Sequence, residues 1–200
     1  MKKDNIFEHI LYEIDMYLST YDLFNTQYKE AKLDDVEYCY VRNAIFESHF
    51  LHMRNVKDLF LNNKSFPTDI VLSTVLLDPV SCTISKEDLV CKDENGEIIY
   101  DMNHSELTYA IIMNKSIEHL TKERFDSSLT STGSLDALQM LSMQNMMKLL
   151  IPNIKAFSVL VSNKANIVAE YQNAWDVFKE KIDFFSSQTI PTFSTTFGFD

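Results

Sequence analysis

Glycine and proline are scarce in this chain, with three glycines and four prolines among 200 residues. An all-β domain needs a turn roughly every ten residues, and Gly, Pro and Asn usually form those turns. Their scarcity argues against an all-β fold and favours long helices joined by few tight turns. A chain of this length, with a hydrophobic fraction of 46%, can bury a sizeable core as a single domain.

Basic residues are also in the minority, with 18 Lys and Arg against 29 Asp and Glu and a formal net charge of −11. A protein that binds duplex DNA through its backbone needs a basic surface to displace counterions. We therefore expect no duplex DNA partner. A local basic cleft built from a few Arg and Lys stays open, and so does a basic protein partner.

The patterns of export, membrane spanning and metal binding are missing as well. Cys39, Cys82 and Cys91 form no disulfide framework and no CxxC or Cys/His cluster. No run of about 18 apolar residues is present, and no uninterrupted apolar stretch follows the N-terminal lysines. We expect a cytoplasmic protein with no membrane span, no bound metal and no cofactor.

Apolar residues recur at helical spacing along most of the chain, which predicts an all-α bundle of about five helices. The predicted helices cover residues 4 to about 30, 34 to about 63, 103 to about 125, 134 to about 161 and 164 to about 185. The second helix is apolar on more than one side, so it should be central and antiparallel to the first. His9, beside the apolar stripe of the first helix, is expected to be a packed or surface histidine. The helices form a single domain over residues 1–188, and residues 189–200 form a C-terminal tail.

One inserted β-hairpin is expected near residues 88–100. Two short β-prone runs, Leu89–Lys92 and Glu97–Tyr100, flank the dipeptide Asn95-Gly96. Asn and Gly both accept the positive φ angles of a tight hairpin turn. Because a lone hairpin is marginally stable in water, it should pack on the helices.

The fourth predicted helix is rich in methionine and contains one proline. We interpret the methionines as adaptable core side chains; they are Met140, Met143, Met146 and Met147. Pro152 is expected to kink this helix or to split it near Leu150.

Polar side chains are concentrated within twelve residues of the second helix. Because residues three or four apart share a helix face, His49, His52 and Asn55 should form one line. A second line contains Glu47, Arg54 and Asp58. Polar groups in so apolar a helix need partners, because burial without them is costly.

The third predicted helix carries a second polar cluster, over residues 114–124. Lys115 and His119 are four residues apart and share a face. If the second and third helices pack together, His52 and His119 can act as proton acceptor and donor beside Arg54. Arginine suits a planar hold on phosphate. The remaining candidate substrate-binding residues of the two clusters are Asn55, Lys115 and Arg124.

Two motifs in these helices resemble those of a group of uncharacterised bacterial all-helical proteins. The motifs are Glu47-Ser48-x-x-x-His52-x-Arg54-Asn55-x-x-Asp58 and Asn114-Lys115-x-x-x-His119-Leu120-Thr121-x-x-Arg124. In that group a His-x-Arg-Asn helix is paired with an Asn-Lys…His-Leu-Thr helix. The resemblance covers roughly residues 35 to 125, and it implies a fold more than a function.

The segment Arg42-Asn43-Ala44-Ile45-Phe46-Glu47-Ser48-His49 resembles the Arg-polar-spacer-His signature of HEPN domains. These helical bundles often act as metal-independent ribonucleases in toxin and phage-defence systems. The resemblance implies that Arg42 stabilises phosphate charge, that Asn43 supports it, and that His49 works as acid or base. It also implies that these residues act across a homodimer interface.

A structural interpretation of the same side chains stays open. Arg54 can form an ion pair with a neighbouring carboxylate that fixes helix register, and His52 and His119 can bond to side chains between helices. A metal site at Glu47, His49 and His52 is a third interpretation, which no HExxH or Glu-x-x-His repeat supports.

Two functions from different classes follow from these alternatives. One is a HEPN-like metal-independent ribonuclease or nucleotide-binding protein in a phage-defence or toxin–antitoxin system, with RNA or a nucleotide as its ligand. The other is a non-enzymatic interaction or scaffold protein that binds a protein partner through its C-terminal helices. An exposed apolar groove between the fourth and fifth helices would favour the second function.

Overall fold

The computed structural model describes residues 6–25, 35–61, 66–78, 80–84, 90–92, 98–101, 134–163 and 166–187. This part of the chain is mostly α-helical, as the scarcity of glycine and proline predicts. Its α-helices are α1 (Ile6–Asn25), α2 (Asp35–Phe60), α3 (Ser134–Ser162) and α4 (Gln172–Ser187). Within the described segments, no helix combines the length and the apolar character needed to cross a bilayer.

Helices α1 and α2 form the most extensive helix pair of the described fold. Each contributes an apolar stripe at three- and four-residue spacing, which includes Phe7, Ile14 and Tyr17 on α1 and Phe50 and Met53 on α2, all fully buried. The contacts between the helices run in opposite directions along α1 and α2. Glu13 of α1 contacts His52, whereas Thr20, further along α1, contacts His49, which comes earlier in α2. The predicted antiparallel packing of the first two helices is therefore confirmed.

Helix α3 continues without a break through Pro152. Of the two predicted effects of this proline, the split near Leu150 is therefore wrong, and the kink stays a prediction. Proline lacks the N–H that a helix interior normally uses. The Asn153 side chain donates a hydrogen bond to the Leu149 carbonyl at 2.9 Å, which adds a contact to this turn of the helix. Three methionines of α3 have described side chains, and all three are core residues, as predicted: Met143, Met146 and Met147.

A shared aromatic cluster joins the helices into one core. The Phe7 ring lies 6.3 Å from Phe157 of α3 and 6.2 Å from Trp175 of α4, and Phe60 of α2 meets Phe157 edge-on at 6.1 Å. Offset and edge-to-face contacts of this kind suit the charge distribution of aromatic rings. Helices α3 and α4 also share a polar contact, in which the Ser158 hydroxyl donates to Asp183 at 3.0 Å.

Short irregular segments close the ends of the helix pairs. A 3-10 turn at Leu72–Thr74 leads into a bridge between Leu76 and Ile167, and the Leu77 N–H donates to the Asn166 carbonyl at 2.9 Å. Because this bridge needs extended backbone near Ile167, the last helix starts at Gln172, and its predicted start at residue 164 is wrong. Further 3-10 turns span Val80–Cys82 and Ala169–Tyr171.

Two short strands, β1 (Val90–Lys92) and β2 (Ile98–Asp101), pair in antiparallel register. The pairing joins Cys91 to Tyr100 and is irregular between Cys91 and Lys92. The Asn95-Gly96 turn lies outside the described residues, so the complete hairpin stays a prediction. The third predicted helix, over residues 103–125, and the tail over residues 189–200 also lie outside them. The five-helix count is therefore a prediction, whereas the mostly helical fold is observed.

Candidate functional site

A buried carboxylate connects polar side chains of α1 and α2. Glu13 Oε2 accepts hydrogen bonds from His52 Nδ1 at 2.7 Å and from Asn55 Nδ2 at 2.9 Å. Its other oxygen, Oε1, lies 3.4 Å from His9 Nε2. Glu13 is 9% exposed and His52 is 7% exposed. These four residues, His9, Glu13, His52 and Asn55, are called the Glu13 cluster below.

The positions of these residues along the two helices explain why they meet. His9 and Glu13 are one turn apart on α1, and His52 and Asn55 are one turn apart on α2, so each pair shares a face. The α2 line that the sequence predicts is confirmed for His52 and Asn55, because both side chains bond to one oxygen of Glu13. A buried carboxylate is costly without partners, and these contacts compensate for its burial.

Three members of the Glu13 cluster, His9, Glu13 and Asn55, line a cleft with a volume of about 600 Å³, within the range of small-molecule sites. His52 is not part of this lining and reaches the cleft only through its bond to Glu13. Helix α2 adds charged groups to the walls, and the segment after α2 closes the other side. The lining residues outside the cluster include Arg54, Lys57, Asp58, Phe66, Thr68, Asp69 and Val71. Lys57 Nζ lies 3.0 Å from Asp58 Oδ1, and Asp69 Oδ2 accepts a hydrogen bond from the Phe66 N–H at 2.8 Å. The cleft therefore offers hydrogen-bonding groups of both charges rather than a purely basic surface.

The aromatic ring of Tyr12 contacts both histidines of the Glu13 cluster. The Tyr12 ring stacks on His9, with centroids 6.1 Å apart and an interplanar angle of 15°. The same ring meets His52 edge-on at 5.6 Å. Tyr12 is 46% exposed and the His9 side chain is 56% exposed, so both present ring surface to solvent beside the cleft.

His49 has an environment unlike that of His52, although the two are three residues apart. It is fully buried, and its ring stacks on Tyr17 at 4.9 Å. Thr20 Oγ1 donates to the Met16 carbonyl at 2.6 Å and lies 3.1 Å from His49 Nδ1, so His49 Nδ1–H donates to the threonine oxygen. Its other ring nitrogen, Nε2, is buried without a hydrogen-bond partner. Burial lowers the pKa of His49 from 6.5 to about 3.

The candidate site residues from the sequence fall into four groups. His52 belongs to the Glu13 cluster, and Arg54 and Asn55 line the cleft. His49 lies in the α1–α2 core, where acid–base work on RNA would require α1 to move away. Arg42 and Asn43 are placed as part of α2 by their backbone alone. Lys115, His119 and Arg124 lie outside the described residues, so the expected His52–His119 pair stays a prediction.

Two functional candidates were missed by the sequence analysis, His9 and Glu13. A signal for Glu13 was present, because it lies three residues after Ile10 and four before Tyr17, on the buried face of α1. His9 offered no such signal, since an exposed histidine next to an apolar stripe is common. In the part of the chain that the structure describes, no group of three or more His, Cys, Asp or Glu side chains could hold a metal ion.

No family model, no curated protein and no solved structure matches the chain. The resemblances to the bacterial all-helical group and to HEPN domains therefore stay predictions that depend on the motifs quoted above. The geometry defines a mostly helical protein with a polar cleft lined by α1, α2 and the segment after α2.

Proposed function

We propose that the protein is a HEPN-like metal-independent ribonuclease or nucleotide-binding protein, whose RNA or nucleotide ligand enters the α1–α2 cleft. The observation that supports the proposal most strongly is the Glu13 cluster. It holds one exposed and one buried histidine against a single carboxylate, and the exposed histidine, His9, and the carboxylate line a ligand-sized cleft. A carboxylate beside a histidine sets the orientation and tautomer of the ring, which acid–base chemistry requires. A phage-defence or toxin–antitoxin system is the proposed setting.

Cleavage of RNA by its own 2′-hydroxyl needs a proton acceptor, a proton donor and a cation near phosphorus. The acceptor removes the 2′-hydroxyl proton while that oxygen attacks phosphorus. The donor protonates the departing 5′ oxygen as its bond to phosphorus breaks. In the proposal His52 and His119 fill these two roles, and Arg54 supplies charge. His9, which is exposed and lines the cleft, is a further candidate for proton transfer.

Substrate binding in the proposal is assigned to side chains with hydrogen-bond donors. Asn55 lines the cleft while its amide also donates to Glu13, so its position is fixed before a ligand arrives. The other proposed binding residues are Asn43, Lys115 and Arg124. The alternative catalytic set from the HEPN-like signature is Arg42 and His49, which would require the α1–α2 interface to open.

Cleavage of single-stranded RNA in the presence of EDTA tests the proposal directly. We expect activity in EDTA and a loss of about 10²–10⁴ in rate for His52→Ala or His9→Ala, the usual cost of removing a general acid or base. His49→Phe separates the two proposed catalytic sets, because it should keep the activity if His52 acts and abolish it if the HEPN-like pair Arg42 and His49 acts. Absence of cleavage by the wild-type protein at high concentration, and of nucleotide binding, would refute the proposal.

A structural role of the cluster is separated by the melting temperature of each variant. If His52 only stabilises the helix pair, His52→Ala should lower stability by about 1–3 kcal/mol, because Glu13 loses a buried partner. If it acts in catalysis, His52→Gln should keep most of the stability and still lose activity. His9→Ala removes an exposed ring and should leave the melting temperature almost unchanged.

A second candidate function, binding of a protein partner through the C-terminal helices, has one observation in its favour. Val159 of α3 is 72% exposed and Val177 of α4 is 75% exposed, although the described methionines of α3 lie in the core. Val159→Ser and Val177→Ser should preserve folding. Loss of homodimer formation or of partner capture in these variants, with RNA binding absent throughout, would favour this function over the first.

The complete fold that accompanies the proposal is a five-helix bundle with a hairpin near residues 88–100, in a cytoplasmic protein. The HEPN-like mechanism further requires a homodimer, because that family acts across a dimer interface. Light scattering of the purified protein tests this part. A strictly monomeric protein with full activity would exclude the dimer mechanism and leave the cleft as a site within one chain.

A further inference from the structure

The ring of His9, which lines the cleft, stacks on the ring of Tyr12, and the two rings form an aromatic shelf beside the cleft. Their planes are within 15° of parallel, and His52 meets Tyr12 edge-on from behind. His9 is also tied to Glu13, with His9 Nε2 3.4 Å from Glu13 Oε1. The shelf is therefore supported on its inner side, while about half of each side chain is exposed. Exposed, supported ring surface beside a polar cleft is the arrangement on which nucleobases stack in single-strand-binding proteins.

We infer that the cleft takes single-stranded RNA, with one nucleobase stacked on the His9–Tyr12 shelf and the adjoining sugar and phosphate inside the cleft. Arg54 and Asn55 of the lining lie one helix turn or less from His52, on the side where that sugar and phosphate would enter. This inference rests on the proposed function and specifies its substrate class.

The charge of the cleft favours stacking over phosphate attraction as the main source of affinity. Its described lining includes two cations, Arg54 and Lys57, and three carboxylates, Glu13, Asp58 and Asp69. The whole chain carries a net charge of −11. The negatively charged sugar–phosphate backbone of a long RNA is not attracted to such a surface. Stacking of a base on a ring does not depend on net charge. A duplex buries the faces of its bases, so it offers the shelf nothing to bind.

Three quantitative expectations follow for binding of a short single-stranded oligoribonucleotide to the full chain, measured by fluorescence anisotropy. Tyr12→Ala should raise Kd by about 5- to 150-fold, the range for one stacked base. Tyr12→Phe keeps the ring and should change Kd by less than about threefold. The slope of log K against log salt should lie between about −0.7 and −1.4, as for one or two phosphate contacts on a single strand.

The controls separate the shelf from other effects of substitution. Tyr40→Ala removes an exposed tyrosine of α2 that lies about four helix turns before Arg54 of the cleft, and it should leave Kd unchanged. Melting temperatures of the Tyr12 variants show whether His52 and Glu13 keep their packing. An RNA duplex of the same sequence and ribose 5-phosphate serve as competitors, and both should compete at least tenfold more weakly than the single strand.

The possible results distinguish this inference from the proposed function. If neither the single strand nor a mononucleotide binds, both are overturned. If the single strand binds but Tyr12→Ala binds equally well, the shelf is overturned and the proposed function stands. Equal binding of duplex and single strand, or a salt slope steeper than about −3, also overturns the shelf, because backbone contacts would then supply the affinity.

Discussion

Lowering the pH from 7 to 5 should destabilise this protein through one buried side chain, His49. Burial lowers its pKa from 6.5 to about 3 in the folded protein, and in the unfolded chain the pKa returns to about 6.5. Between these two values the unfolded chain binds a proton that the folded protein does not bind. The free energy of unfolding therefore falls as the pH drops below about 6.5, and the loss continues until about pH 3.

The size of the effect follows from the two pKa values. Linkage gives a loss of about 2 kcal/mol between pH 7 and pH 5, and of about 3 kcal/mol between pH 7 and pH 4. Domains are typically stable by only about 5–15 kcal/mol, so a change of this size is easily measured. A hydrogen bond to the Tyr17 backbone favours the protonated ring of His49, but the effect of burial is larger, and Nε2 has no partner in the core.

The assay is urea unfolding of the wild type and of His49→Phe at several pH values. Phenylalanine keeps a ring against Tyr17 and does not titrate. Thr20 keeps its own hydroxyl bond to the Met16 carbonyl, so the substitution leaves no donor unsatisfied. The difference in unfolding free energy between the two proteins isolates His49 from all other titrating groups.

We expect the wild type to lose about 2 kcal/mol of stability relative to the variant between pH 7 and pH 5. Val177→Ser changes an exposed side chain that does not titrate and should keep the pH dependence of the wild type. A wild-type protein and a His49→Phe variant that lose equal stability over this interval would refute the argument, because His49 would then be protonated in the folded state.

Three further predictions concern the core and the Glu13 cluster. Phe157→Ala should cost about 3–5 kcal/mol in urea unfolding, because Phe157 is fully buried and contacts both Phe7 and Phe60; a cost below about 1 kcal/mol would contradict this packing. Glu13→Gln should weaken the α1–α2 contact, and a double-mutant cycle with His52→Gln should give a coupling energy of about 0.5–3 kcal/mol; additive effects would contradict the observed bond. Cys82 should resist thiol reagents at pH 8 in the native protein with the other two cysteines changed to serine, because burial raises its pKa to about 11; rapid modification without unfolding would contradict this.

The apolar framework of this protein could be predicted because a buried helix face repeats every three or four residues. The stripe through Phe7, Ile14 and Tyr17 is visible in the sequence, and so is the core role of the methionines of α3. The bridge from Leu76 to Ile167 could not be predicted in this way. It joins residues about ninety positions apart, and nothing local in either segment specifies the partner. The same limitation led to a predicted start of the last helix that was too early.

The polar site was predictable on α2 but not on α1, for a related reason. Three polar residues in line on the apolar helix α2, His49, His52 and Asn55, indicate that polar partners lie opposite them. A single glutamate such as Glu13 on α1 resembles any other charged residue of a helix. Glu13 could have been recognised from its place between Ile10 and Tyr17, but only after the buried face of α1 had been defined. The partner of a buried polar group therefore has to be sought on the apolar face of the neighbouring helix.

The contrast between His49 and His52 shows what decides the chemistry of a histidine in this fold. Both lie on the face of α2 that packs against α1, and both are buried. The residues opposite them differ: Tyr17 and Thr20 surround His49 with a ring and one hydroxyl, whereas Glu13 gives His52 a carboxylate at 2.7 Å. Burial lowers the pKa of His49 to about 3, so this ring stays neutral in the core. The residues of α1 opposite each position therefore decide whether a histidine of α2 has a carboxylate partner, as His52 has, or lies in the core against a ring and a hydroxyl, as His49 does.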